Sequence, residues 1–396
     1  MTEVHVWIDC QDGSLLQHEG HSNSVESVAF SADSKYIASA SSDKTVKIWD
    51  AATGHEIRTL KGHSTSVWSV AFSADSKYVA SASYDKTVKI WDAATGHEIR
   101  TLEGHSNSVE SVAFSADSKY VASGSYDKTV KIWDAATGHE IWTLKGHSCF
   151  VKSMAFSADS KYVASGSSDN TVKIWDTTTG HEIRTLKGHS SYVISMAFSA
   201  DSKYVASASY NRIVKIWDAA TGHEIWTLKG HSSYVISMAF SADSKYVASA
   251  SSDNTVKIWD TATGACLQTL HTGRALRDIS FDPTSLLLHT EIGVLALALT
   301  INPNPKPNSN PPSTLSSSHT APNLSTTTSS YEPQTRGLGL RPDGTWITWN
   351  ARNLLWLPPD YRPIHSAVAA STVAIGCASG RVFIIRFDGD LLSKFY

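Results

Sequence analysis

Residues 20–61 read GHSNSVESVAFSADSKYIASASSDKTVKIWDAATGHEIRTLK, and nearly the same text follows five more times. Gly-His recurs at Gly20-His21, Gly62-His63, Gly104-His105, Gly146-His147, Gly188-His189 and Gly230-His231, each step being 42 residues. Trp-Asp keeps that step at Trp49-Asp50, Trp91-Asp92, Trp133-Asp134, Trp175-Asp176, Trp217-Asp218 and Trp259-Asp260. A fixed period of this size means that one small supersecondary unit stacks on copies of itself, because a single unit cannot bury its own apolar face.

Within the first unit, Val28-Ala29-Phe30 reads as a strand and Ala32-Asp33-Ser34 as a turn. Tyr36 to Ser41 makes a second strand, and Asp43-Lys44 a tight turn. Thr45-Val46-Lys47-Ile48-Trp49 alternates and is β-branched, as a third strand should be. Ala52-Thr53-Gly54 then turns the chain into an outermost strand from His55 to Leu60. No segment sustains a helical period, so helix is not expected. Short strands at a fixed period select an all-β propeller over a sandwich or a single barrel. Seven blades are expected, with eight as the alternative count.

Outside the repeats the pattern frays. Val4-His5-Val6-Trp7 falls one period before Val46-Lys47-Ile48-Trp49, so residues 1–19 read as the last strands of a partial blade. Residues 20–271 hold the six repeats. Residues 272–300 read as a degenerate blade, in which Asp278-Ile279-Ser280-Phe281-Asp282-Pro283 keeps the first-strand pattern. Residues 301–336 carry seven of the twelve prolines, no glycine and a dense run of Ser, Thr and Asn. That composition cannot bury a core and is expected to form a disordered insertion. Residues 337–396 return to strand-like text and are expected to close the ring beside the N-terminal strands, because open sheet edges expose unpaired backbone groups.

Gly-His, Asp and Trp-Asp at these spacings resemble the WD-repeat family across residues 20–260. The resemblance implies a radial propeller that serves as an interaction platform. The first turn departs from the family pattern, with Ala-Asp-Ser where Pro-Asp-Gly is usual. The near-identity of the copies, together with SAVAASTVAIGCASGRVF (366–383) and LWLPPDYR (355–362), is also similar to the C-terminal repeat domain of fungal NACHT/WD-repeat heterokaryon-incompatibility proteins. There a nucleotide-binding module precedes the repeats and the repeat face recognises a partner, so a sensor role in self/non-self recognition is what this second resemblance implies. No G-x-x-x-x-G-K-[ST] occurs in the 396 residues, so nucleotide binding is not expected of them.

Bulk composition narrows the function classes. Hydrophobic residues at 41% and charged residues at 18% suit a globular chain, and a net charge of -3 draws it neither to nucleic acid nor to anionic lipid. Basic residues are paired with acids rather than clustered between aromatics. Cys10, Cys149, Cys266 and Cys377 form no CxxC pair, which argues against zinc or a disulfide framework and suits a reducing compartment. The opening MTEVHVWIDC is not patterned as a signal peptide, and the apolar run Ile292 to Leu299 is too short to span a bilayer. The expectation is a cytoplasmic location, with no membrane, nucleic-acid or small-molecule partner and no cofactor.

Each repeat also carries a His, a Ser and an Asp. A hydrolase needs one activated serine in one pocket, whereas this set recurs on six near-identical scaffolds. It therefore reads as a buried network of His21, Ser39, Asp43 and Trp49, in which Asp orients His, His bonds Ser, and Ser meets the indole N–H. Its copies are His63, Asp85 and Trp91; His105, Asp127 and Trp133; His147, Asp169 and Trp175; His189 and Trp217; His231, Asp253 and Trp259. Blade five has Asn211 where the aspartate belongs, so a weaker network is expected there. His55, His97, His139, His181 and His223 sit on successive outer strands and read as solvated rim residues rather than as metal ligands.

Partner choice is written where the copies disagree. Two positions flank the valine after Gly-His: Ser24/Glu26, Ser66/Trp68, Ser108/Glu110, Phe150/Lys152, Tyr192/Ile194 and Tyr234/Ile236. A third precedes the turn aspartate: Ser42, Tyr84, Tyr126, Ser168, Tyr210 and Ser252. All fall at one end of the expected ring. Large aromatics on loops are binding anchors, so this end is expected to take a protein or peptide. Blades four to six are expected to form an aromatic arc, and Glu26 with Glu110 an acidic opposite side. Trp142 and Trp226, on outer strands, are expected to pack at the rim. A general scaffold or a substrate-receptor adaptor is the alternative to a sensor, and no residue stands out as catalytic.

Overall fold

The computed structural model describes residues 20–298 and 335–386, apart from 34, 52–54, 291, 342, 351, 358–362, 370–371 and 378–381. The strand expected at Val4–Trp7 and residues 301–334 of the insertion expected over 301–336 lie outside the described residues; the last two, Thr335 and Arg336, begin a strand instead. Every regular element among the described residues is a β-strand. The first repeat folds as β1 (Val25–Phe30), β2 (Tyr36–Ser41), β3 (Thr45–Asp50) and β4 (Glu56–Lys61), an antiparallel sheet in chain order. The same sheet recurs in β5–β8 (67–102), β9–β12 (109–144), β13–β16 (151–187), β17–β20 (193–228) and β21–β24 (235–271).

Burial along one blade explains its composition. The two middle strands, YIASAS and TVKIWD in the first copy, are buried on both faces, so the Ser and Lys side chains that alternate with the apolar ones are enclosed as well. The outermost strand EIRTLK alternates between buried and exposed, and its charged side chains protect an open edge. Apolar clusters are shared between neighbouring blades: Ala38, Ala40, Ile48 and Leu60 of the first blade pack with Val67, Val79 and Trp91 of the second. A blade alone would leave that face wet, which is why the period and the ring are inseparable.

The Ala-Asp-Ser turn has a physical account. Ser76 takes a left-handed φ of 61°, a conformation that favours glycine. Asp75 steadies the turn by accepting hydrogen bonds from Ser73 Oγ at 2.6 Å and the Lys77 N–H at 3.2 Å. The serine then does what glycine cannot, because Ser76 Oγ accepts the Asp33 N–H of the preceding blade at 3.1 Å. The same stitch joins Ser160 to Asp117 and Ser244 to Asp201.

Beyond the repeats, β25 (Ile279–Phe281), β26 (Leu287–Thr290), β27 (Gly293–Ala296), β28 (Thr335–Leu340), β29 (Trp346–Trp349) and β30 (Arg352–Trp356) form one six-stranded sheet. The stretches on either side of the proline-rich segment, read separately in the sequence, are thus neighbours: β27 pairs directly with β28. Gly293 allows that pairing, since a Cβ there would stand 2.5 Å from Gly339 Cα. A last sheet comprises β31 (Pro363–Ala369), β32 (Thr372–Cys377) and β33 (Val382–Arg386). β31 lies against β1 on one side and against β26, β27 and β28 on the other, so the ring closes between the ends of the described chain. The described residues therefore build eight sheets in succession, six of them from the repeats.

Candidate functional site

The fixed residues make the buried network. His21 Nε2 lies 2.8 Å from Ser39 Oγ, the Trp49 indole donates to the same Oγ at 2.8 Å, and His21 Nδ1 lies 2.9 Å from Asp43 Oδ2. Because the Asp43 carboxylate can only accept, Nδ1 of the neutral ring carries the proton, and Nε2 then accepts from Ser39, whose oxygen accepts the Trp49 indole N–H. Burial opposes charge on Asp43, but bonds from His21, Thr45 and the Ser22 amide outweigh it and hold the carboxyl well below its ordinary value. The arrangement repeats around His63, His105, His147 and His231 with Asp85, Asp127, Asp169 and Asp253. Trp91, Trp133, Trp175, Trp217 and Trp259 each donate to the serine ten residues earlier. Ser39 and its copies are fully buried and bonded on both sides, so they cannot reach a substrate. In blade five, Asn211 Nδ2 stands 3.4 Å from His189 Nδ1, and burial pushes His189 from its ordinary 6.5 down to about 4.

At the rim, His55, His97, His139, His181 and His223 are exposed, and no group of three metal-ligating side chains converges among the described residues. Trp142 and Trp226 are clamps between blades: their indole N–H groups donate to the Thr177 and Thr261 carbonyls of the next blade at 3.1 and 2.9 Å. Arg58, Arg100 and Arg184 use their Nε–H for the same purpose on Thr95, Thr137 and Thr221.

The varied end has a geometric signature that sequence reading missed. Every repeat breaks register once on its innermost strand, and the bulged residue is the varied one: Glu26, Trp68, Glu110, Lys152, Ile194 and Ile236. A bulge releases one side chain from the alternation of the strand and re-aims it. The β31 strand carries the same break between Pro363 and His365, which puts Ile364 at that position. In β25, Ile279 pairs with Thr290 as Met238 pairs with Ser249, so Arg277 takes the place of Ile236. The bulge residues Glu26, Ile194 and Ile236 line, with Tyr210, Tyr234 and Arg277, a cavity of about 610 Å³. One cavity bordered by the first, fifth, sixth and seventh sheets places these residues at the mouth of the ring's axis.

Aromatic side chains between the bulges form two ladders. Trp68 stacks on Tyr84 with centroids 5.0 Å apart, Tyr84 meets Tyr126 at 6.1 Å, and Tyr126 stacks on Phe150 at 4.5 Å. Tyr192, Tyr210 and Tyr234 follow at 5.9 and 4.9 Å. Ser168 falls in the gap between them. Phe150, Tyr192, Tyr210 and Tyr234 keep 38%, 47%, 45% and 42% of their surface exposed, a rare arrangement for rings of this size on a fixed scaffold. The arc therefore runs from blade two to blade six, rather than from four to six as the residue types suggested.

The acidic side also needs correction. Glu110 is paired: Lys152 Nζ lies 3.1 Å from its Oε1, 2.9 Å from Tyr126 Oη and 4.5 Å from the Tyr126 ring centroid. Burial, then Glu110, raises the Tyr84 and Tyr126 phenols above their ordinary value, so both stay protonated. Glu26 accepts a bond from Ser42 Oγ at 2.7 Å and remains at the cavity edge. Trp68 Nε1, Glu110 Oε2 and Ser168 Oγ are buried without a protein hydrogen-bond partner, and all three belong to the varied set. Each such atom costs about 1–3 kcal/mol, so this end gives up stability that the fixed network does not.

Comparison with known proteins agrees with this anatomy. The WD domain, G-beta repeat family matches residues 13–50 and 222–260, and the Echinoderm microtubule-associated protein second beta-propeller family matches residues 67–228. Vegetative incompatibility protein HET-E-1 of Podospora anserina is 67% identical over 36 residues, which is 9% of this chain and 3% of that protein. The Ribosome biogenesis protein BOP1 homologs of Drosophila virilis and Drosophila ananassae are each 51% identical over 45 residues, 11% of this chain and 6% of theirs. The chain thus spans only a few per cent of the length of these curated relatives. With its repeats, ring of sheets and buried His-Ser-Trp networks, the chain is a WD-repeat β-propeller protein, a fold of the protein-interaction type.

Proposed function

We propose that this propeller is a non-catalytic recognition module that captures a protein or peptide on its varied end. One observation carries the reading: the residues that differ between otherwise near-identical copies are the bulged residues and the aromatics stacked between them. Neutral drift at exposed positions would not favour Trp, Tyr, Phe and Ile, whereas interface anchors are drawn from those types. The absence of an enzymatic role is supported by the inaccessibility of every network serine.

The finer reading is a sensor for self/non-self recognition in a fungus. Its support is the likeness, over one repeat, to a vegetative incompatibility protein. A reducing, cytoplasmic setting is part of the same proposal, in keeping with free thiols at Cys149 and Cys266.

The test replaces Trp68, Phe150, Tyr192 and Tyr234 together by Ser, the residue that blades one to three carry at the first of these positions in place of Phe or Tyr. Immobilised wild-type and variant chains are compared by quantitative mass spectrometry of retained proteins, alongside melting temperature. The variant is expected to lose the retained partner while melting like the parent. Equal retention by both would sink the reading.

A further inference from the structure

The two halves of the varied end handle the same tyrosine position differently. In blades three and four the ring supplies its own cation: Lys152, on the bulge of blade four, covers the Tyr126 face of blade three and pairs with Glu110. Tyr210 stands at the same turn position in blade five, and the bulge of the next blade carries Ile236 instead of lysine. Tyr210 is therefore exposed, and the cavity opens beside it.

The carboxylates there come from across the mouth. Glu26 lines one wall, and Asp278, register-equivalent to Ser237, lines another. Asp278 meets water in the cavity yet is hemmed in by protein, and that enclosure raises its carboxyl above the ordinary value, offset only in part by the Ile279 amide. Arg277 lines the same space and is already engaged within the chain. Ile194 and Ile236 give an apolar floor that fits the methylene stem of a long side chain.

We infer that this cavity is the receptor for an arginine or lysine side chain of an extended peptide, which takes the place that Lys152 fills in the neighbouring half. The inference rests on the reading of the varied end as a peptide-binding face. The cation meets the Tyr210 and Tyr234 rings and the Glu26 and Asp278 carboxylates, while its stem lies on Ile194 and Ile236. A cavity of about 610 Å³ is of the size that holds a ligand side chain with its flanking backbone.

The probe is the capped tripeptide acetyl-Leu-Arg-Leu-amide, with acetyl-Leu-Gln-Leu-amide and acetyl-Leu-Glu-Leu-amide as controls. Binding is followed through the isoleucine δ-methyl NMR signals of the whole chain, which report Ile194 and Ile236 directly. The arginine peptide is expected to move these two signals and to bind at least about tenfold tighter than either control. The isosteric pair Glu26→Gln with Asp278→Asn is expected to remove that preference at an unchanged melting temperature. Ile236→Lys is expected to abolish binding, by closing the cavity from within as Lys152 does in its own half. Equal binding of all three peptides, a preference for the glutamate peptide through Arg277, or no response at Ile194 and Ile236 overturns the inference. Of the residues changed in the partner-capture test only Tyr234 borders this cavity, and Glu26, Asp278, Ile194 and Ile236 are untouched there, so the two readings fail separately.

Discussion

Blades four and five are adjacent copies of one unit, yet their turn networks differ at two side chains, Asp169 against Asn211 and Thr171 against Ile213. In blade four, Asp169 accepts hydrogen bonds from His147 Nδ1 and the Ser148 amide, and from both the amide and hydroxyl of Thr171, at 2.6 to 2.9 Å. In blade five, Asn211 reaches His189 only at 3.4 Å, and Ile213 brings no hydroxyl to the turn. His189 keeps its bond to Ser207 at 2.8 Å, and Trp217 keeps its own at 2.8 Å, so the inner half of the network survives without the carboxylate. The aspartate therefore acts on the turn and on the proton of the histidine, and the burial of Ser and Trp holds the rest. The same turn carries Tyr210, so the weakest network lies under the exposed half of the varied end.

Moving the blade-five residue into blade four is the most severe way to break this contrast. Asp169→Asn is expected to cost about 3 kcal/mol, because it removes a charged acceptor from four donors, three of them partly buried. Urea unfolding at neutral pH measures it, and a loss below about 1 kcal/mol would mean that the carboxylate is not the strong partner its distances imply.

Acid should pick out blade five before the others. The folded pKa of His189 is depressed, so between pH 6.5 and about 4 the unfolded chain binds the extra proton, and stability falls as pH falls through that window. At 1.36 kcal/mol per unit the loss reaches about 3 kcal/mol at most. The depressed carboxylates Asp43, Asp85, Asp127 and Asp169 work lower: their contribution is present above their ordinary 3.8 and lost below it. Amide exchange at pH 5 is expected to open β17–β20 ahead of β13–β16. Simultaneous opening would contradict the assignment.

The reverse change sharpens the contrast. Asn211→Asp should gain about 1–2 kcal/mol at pH 7, less than Asp169→Asn loses, because Ile213 cannot donate as Thr171 does. It should also flatten the stability profile between pH 6.5 and 4. The rim offers the smallest effect. Trp142 of blade three and Arg184 of blade four hold the next blade through carbonyls of the same turn, two positions apart. Exchanging their identities should therefore change stability by less than about 0.5 kcal/mol, whereas alanine at either should cost about 1 kcal/mol.

Much of this was legible from a period and two dipeptides. The copies of His21, Asp43 and Trp49 announced themselves by spacing, and six-fold repetition removed any catalytic reading before a distance was known. The weakness at Asn211 was legible too, since a neutral amide offers one acceptor oxygen where a carboxylate offers two charged ones. The pairing of Glu110 with Lys152 was not. They stand one period apart, as do dozens of other pairs, and whether a lysine spans two bulges depends on the width of the ring. The strands after residue 271 were also poorly legible. Once Gly-His and Trp-Asp are gone, a short apolar run says strand but not which sheet, and β28 finds β27 across a long insertion through the close approach of Gly293 and Gly339.

The sequence by itself determined the all-β ring, the identity of the buried network and the end at which the copies differ, because those depend on patterns that recur within one unit. Tertiary structure alone decided that the varied residues are the bulges, that the aromatics stack in two ladders of which the second borders a cavity, and that Lys152 engages Glu110 and Tyr126 in the other half. Those features are contacts between units, and no local periodicity encodes which of two equally spaced side chains is long enough to touch.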